Sequence, residues 1–179
     1  MKLFARFILY TILGWKVKGS FPKELKKYLI IAAPHTHWLD FPLGIAVKWA
    51  EAAPINYIGK ASLFKPPFGF IFRWLGGTPV DRTKSNNRVE AIVKIYNSRK
   101  KFILALSPEG TRKKTDTWKT GFYYIAKGAN VPIVMATLDF GKKEVKISKP
   151  YNLTENMEED FNFFHRYYEG VLGKIPENF

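Results

Sequence analysis

The sequence predicts an α/β fold: a single domain with a mixed central β-sheet flanked by helices, and a short apolar helix at its N-terminus. Three observations carry this expectation. Strand-like apolar runs alternate with helix-like segments along the chain. The chain has 179 residues, enough for one real core and too few for two ordinary domains. Its hydrophobic fraction, 46%, belongs to a globular protein rather than a disordered one.

The elements follow in order. In "MKLFARFILYTILGWKVKGS" an apolar run from Phe7 to Trp15 lies between Lys2 and Arg6 on one side and Lys16 and Lys18 on the other. It is much shorter than the ~20 residues that span a bilayer, and no small-residue cleavage site follows it. Two readings stay open: an interfacial anchor with Trp15 at its end, or a first helix packed on the core. On the first, residues 1–20 form a membrane-interface segment ahead of a domain over 21–179. "GWKVKG" reads as a short strand, and "KYLIIAAP" as a buried strand ending at Pro34. "DFPLGIAVKWAEA" reads as a helix, with Pro42 tolerated in its first turn. "INYIGKA" is a strand, "SLFKPPFGFIFRWLGG" a loop with a short helix, and "TPVDR" a brief strand or turn. From Ser85 to Lys101 the pattern is helical, because Val89, Ile92, Val93 and Tyr96 fall on one stripe. "KFILALSPEGT" is a strand stopped by Pro108, "TWKTGFYYIAKGAN" a helix ending near Gly128, and "VPIVMATLDF" and "EVKISKPY" two more strands. The stretch from Glu155 to Leu172 is an amphipathic helix with an acidic first turn, which suits the positive helix N-terminus.

Charge and cysteine usage bound the function. Lys and Arg number 29 against 15 Asp and Glu, a net +14, so the field favours polyanions: nucleic acid, anionic headgroups or phosphorylated small molecules. The absence of cysteine excludes disulfides, thiolate metal sites and a Cys nucleophile. Aromatics make up 16% of the chain. Around residues 60–74 they mix with Lys60, Lys65 and Arg73, a combination that fits a lipid–water boundary and equally a single-stranded nucleic acid.

Two chemically loaded segments each follow the C-terminal end of a buried strand, where ligands bind in α/β sheets. The first, "PHTHWLD", holds His35, His37 and Asp40. If Asp40 opens a helix, the loop can fold back so that its carboxylate accepts from the His35 imidazole. That bond fixes the tautomer and frees the other nitrogen to take a proton. His35 and His37 also have the H-x-H spacing of metal sites, with His165, Asp40, Glu109 or Asp81 as possible third ligands, but nothing in the spacing requires one. Asp40 as a plain helix cap is a third reading. The second segment, "SPEGTR", places Glu109 and Arg112 in a turn that Gly110 allows to be tight. Arg112 suits phosphate oxygens, while Glu109 is expected to orient Arg112, a hydroxyl or a backbone group. "GGTPVDR" adds a glycine-led turn with Asp81 and Arg82 before a helix.

Taken together, the H-x-x-x-x-D pair, "GGTPVDR", "SPEGTR" and the V-P-I run Val131–Ile133 resemble, in order, the four blocks of the glycerolipid acyltransferase family, 1-acylglycerol-3-phosphate acyltransferase type. The chain departs from the family's pattern at Pro34, Ser107, Pro79 and the extra His37, and no departure removes a chemical group the chemistry needs. The resemblance implies that His35 is the general base and Asp40 its orienting carboxylate. It implies that Arg82, Glu109, Gly110, Thr111 and Arg112 bind the acceptor's glycerol phosphate, and that Pro132 shapes the site. The implied reaction moves an acyl group from acyl-CoA or acyl-carrier protein to the free hydroxyl of a lysophosphatidic-acid-like acceptor in phospholipid biosynthesis. No metal or further cofactor is implied. The implied partners are a lyso-lipid, the thioester donor and an anionic membrane surface rather than nucleic acid, and the implied location is the cytoplasmic face of the membrane, peripheral or monotopic. Another lyso-lipid acceptor, such as a lyso-aminolipid, and a non-enzymatic basic membrane-binding module are the alternatives.

Overall fold

The computed structural model describes residues 1–80 and 88–179. Five parallel strands form the central sheet in the order β4-β3-β5-β2-β6, with β2 at Lys27–Ala33, β3 at Ile55–Lys60, β4 at Gly77–Val80, β5 at Phe102–Leu106 and β6 at Ile133–Thr137. A smaller parallel pair joins β1 (Lys16–Lys18) to β7 (Glu144–Lys146). Antiparallel pairing enters through the bridges Ala136–Ile147 and Ile133–Tyr151, so the last segment folds back along β6. The α/β architecture is therefore the expected one, with the main sheet wholly parallel.

Period-two alternation sorts the strand residues between two cores. Leu29, Ile31, Phe102, Leu104, Ile133 and Met135 face α4 (Arg88–Ser98), α5 (Gly121–Ala129) and α6 (Met157–Tyr168). Tyr28, Ile30, Ile103, Val134 and Ala136 face α2 (Asp40–Ala50) and the N-terminal helix. The helix after β2 thus crosses one face and the helix after β5 the other. The connections leaving these adjacent strands diverge, which opens a crevice at their C-terminal ends.

The N-terminal helix, α1 at Lys2–Arg6, continues as a wide π turn over Phe7–Ile12. Ala5 and Leu9 are buried in the α2-side core, whereas Leu3, Phe4, Phe7 and Ile12 are exposed. Trp15 is also buried, edge-on to Phe140 at 5.0 Å, and so belongs to the core rather than to an exposed anchor. A 3-10 turn at Ala61–Phe64 and the short α3 at Gly69–Trp74 occupy the aromatic, basic stretch. Among the described residues no helix is long and apolar enough to cross a membrane.

On the far face, α6 is pinned by Asp160, fully buried and accepting from the Tyr123 and Tyr151 hydroxyls and the Thr154 N–H. The Tyr168 hydroxyl donates to the carbonyl of Ile31 in β2. These bonds fix the back of the strand that carries the histidine loop.

Candidate active site

Strand register assembles the site. Ile31 of β2 stands level with Leu106 of β5, so the loops that follow leave the sheet side by side. His35 and Glu109 are 74 positions apart in sequence, yet the His35 N–H donates to both Glu109 carboxylate oxygens at 3.0 and 2.9 Å. The Ser107 hydroxyl donates to the same carboxylate at 2.9 Å. Glu109 is buried, and of the roles open to it in sequence it takes those of backbone and hydroxyl acceptor.

Asp40 is the first residue of α2, and its carboxylate turns back over the loop instead of capping forward. Its Oδ2 lies 3.0 Å from His35 Nδ1 and accepts the His37 N–H at 2.9 Å. The Asp40 side chain is 1% exposed and that of His35 25%, a sealed carboxylate beneath an accessible ring. Asp40 Oδ1 is buried without a hydrogen-bond partner. The positive end of α2 favours the anion there. The other imidazole nitrogen, Nε2, lies 3.3 Å from Arg112 Nε. A guanidinium can only donate, so Nε2 is an acceptor and the proton sits on Nδ1, facing Asp40. This is the tautomer of a general base with its lone pair directed outward.

His37 has a different task. Its Nδ1 accepts the Leu39 N–H at 3.3 Å, which tightens the turn into α2. No group of three His, Asp or Glu side chains among the described residues converges as a metal site. Thr36 was not singled out by sequence. It is buried, and its hydroxyl accepts the Ile175 N–H at 3.1 Å. A Cβ on Gly173 would stand 2.6 Å from that hydroxyl, so glycine is what lets the C-terminal segment strap the histidine loop.

The other predicted residues scatter in role. Gly110 has φ +66°, the left-handed conformation that turns the chain toward Arg112. The Thr111 hydroxyl accepts the Lys113 N–H at 3.1 Å and so shapes the same turn. Arg112 reaches the imidazole from an exposed position. Pro132 precedes β6, and its carbonyl accepts the N–H of Leu29 near the start of β2. That is the end of the sheet opposite His35, so Pro132 does not line the site. Arg82 and Asp81 lie outside the described residues.

Beneath the polar groups is an apolar cavity of about 230 Å³. His35, Asp40, Ser107 and Arg112 stand among its walls, and the rest is mostly hydrocarbon from the sheet face and α2. The space exists because small residues meet there: Ala32, Ala105 and Ala136 on three neighbouring strands, and Gly44 on the helix above. A Cβ added at Gly44 would meet nothing within 4 Å. Sequence reading missed this feature, although alanines inside strands otherwise built of large apolar residues were its trace.

A tautomer-locked histidine at the mouth of an apolar cavity, with an arginine at its rim, is suited to group transfer onto a hydroxyl. A sequence model of the Acyltransferase family matches residues 15–138, well over half of the chain, and the protein belongs to that family. Among solved structures it is similar to the 1-acyl-sn-glycerophosphate (LPA) acyltransferase PlsC from Thermotoga maritima, with a TM-score of 0.63 and 23% identity over 93% of this chain and 74% of that one. At that identity the likeness is one of fold. No curated protein matches the chain.

Burial raises the Glu109 carboxyl above its ordinary value, and the bonds from the His35 N–H and Ser107 only partly offset this. A carboxyl that holds its proton more tightly folded than unfolded contributes less stability as pH rises from its unfolded value through its raised folded value. Glu109→Gln removes that titration. The urea midpoint of the variant, relative to the native chain, is expected to climb as the pH rises above the ordinary carboxylate range. A difference that stays flat over that rise would contradict the raised carboxyl.

Proposed function

We propose that this acyltransferase moves a fatty acyl group from a thioester, acyl-CoA or acyl-carrier protein, to the free hydroxyl of a lysophosphatidic-acid-like acceptor. The observation that carries the reading is the His35 Nδ1–Asp40 Oδ2 contact of 3.0 Å at the cavity mouth. His35 Nε2 takes the acceptor's hydroxyl proton as its oxygen attacks the thioester carbonyl. The carbon–sulfur bond then breaks, and the leaving thiolate takes the proton back from the imidazolium. Asp40 holds Nδ1 throughout and offsets the transient positive charge. Arg112 supplies a forked cation for the acceptor phosphate, and the apolar cavity takes hydrocarbon, the acyl chain.

The surface supports action at a membrane. Leu3, Phe4, Phe7 and Ile12 on the N-terminal helix, and Phe68, Phe70 and Trp74 around α3, are exposed. Both elements flank α2: the N-terminal helix packs on it in one core, and Trp74 lies 5.2 Å from Trp49. Lys2, Arg6, Lys65 and Arg73 are interspersed among these rings, the pairing that places aromatics at headgroup depth and cations against phosphates. These surfaces support the reading of a peripheral or monotopic attachment, here proposed at the cytoplasmic face of the membrane.

His35→Ala is expected to lower turnover of lysophosphatidic acid with an acyl thioester by at least about a hundredfold, while the variant stays folded, its unfolding free energy reduced by roughly 1–3 kcal/mol because Asp40 loses a donor. Near-native turnover would refute the base. Gly44→Leu projects a side chain into the cavity and should shift donor preference toward shorter acyl chains. Gly44→Ala should leave the profile nearly unchanged while stabilising α2 by roughly 0.5–1 kcal/mol. A donor chain-length series is the readout, and an unaltered profile in the leucine variant would place the acyl chain elsewhere.

A further inference from the structure

We propose that Arg112 makes acyl transfer conditional on an anionic group in the acceptor, because it caps the base until that group draws it away. The inference rests on His35 being the base. In the structure both imidazole nitrogens are engaged: Nδ1 by Asp40 at 3.0 Å and Nε2 by Arg112 Nε at 3.3 Å. The second bond occupies the lone pair that an acceptor hydroxyl must use. A hydroxyl can therefore reach the base only if the guanidinium leaves.

The arginine is placed to leave when a phosphate arrives. Its side chain is exposed, and among the described residues no carboxylate pairs with it. The turn that carries it is held by bonds that do not involve the guanidinium, from the Lys119 N–H to the Pro108 carbonyl at 2.8 Å and from the Lys113 N–H to the Thr111 hydroxyl at 3.1 Å. The guanidinium can thus swing without unmaking the loop. A bond from a guanidinium to a neutral imidazole is weaker than a forked, charge-assisted contact with a phosphate dianion, so the phosphate wins the arginine. Lys113 and Lys114 follow it, both exposed, and add to the pull on the anion.

An acceptor carrying a phosphomonoester near its free hydroxyl uncaps the base as it binds. An acceptor with a neutral headgroup can bind through its chain and still find the lone pair taken. Discrimination then appears in kcat as well as in KM, since the binding energy of the phosphate is used to assemble the reactive state.

The experiment compares lysophosphatidic acid with a monoacylglycerol of the same chain, in the native protein and in Arg112→Ala. Capping predicts opposite responses. Turnover of the phosphorylated acceptor should fall in the variant, while kcat for monoacylglycerol should rise several-fold above its native value. An arginine that only binds phosphate would leave monoacylglycerol turnover unchanged, and an unchanged, lower or undetectable value in the variant overturns the proposal. Arg112→Met, which keeps an aliphatic stem and has no donor, is read in the same way should the alanine variant fail to fold. His35→Ala run alongside separates the two levels: native-like turnover there rejects the base itself, not the cap.

Discussion

The site depends on one buried carboxylate. Asp40 sits at the start of a helix with its side chain almost sealed from water, where an unpaired charge would cost several kcal/mol. Two donors, the His35 imidazole and the His37 N–H, and the positive end of α2 compensate it. Each of those compensations also fixes geometry. The imidazole bond sets the tautomer, the backbone bond folds the loop over the helix, and the helix end sets where the carboxylate stands. One oxygen remains without a partner, so the cost is not fully recovered. Such an orphan persists only where the surrounding fold over-determines it, as the strap of Thr36, Gly173 and Ile175 does here.

A second buried carboxylate completes the frame. Glu109 holds the backbone of the histidine residue while Asp40 holds its ring. Main chain and side chain of His35 are thus anchored from two loops, and those loops are adjacent only because β2 and β5 run parallel in register. The same sheet faces the cavity with alanines at three strands. One set of strands therefore delivers the histidine, its supports and the apolar space, and small residues there leave that space open without disturbing the core on the other face.

Much of this was legible in the chain, and the limits have physical causes. The spacing of His35 and Asp40 was readable because both lie across a single loop-to-helix junction, where sequence distance is spatial distance. The alternation of elements gave the architecture for the same reason, since period and punctuation are local. The partner of Glu109 was not readable, because it depends on which strands are neighbours. The contact of Arg112 with the imidazole escaped for that reason too. Pro132 was expected at the site, yet it lies at the opposite end of the sheet, since a motif's place in sequence does not say at which end of a strand it falls. Trp15 at the end of an apolar run fits an interface and a core equally well until the packing of β1 and Phe140 is known.

Asp40 holds His35 as the Nδ1-protonated tautomer, with Nε2 the acceptor that Arg112 engages. Nitrogen NMR of the imidazole side chains tests it most directly. With three histidines in the chain, a His35→Gln variant assigns the relevant signals by their loss. The expected result is a proton on His35 Nδ1 in the neutral ring, and a change of that signal in Asp40→Asn. A proton on Nε2, or a tautomer indifferent to Asp40, would contradict it.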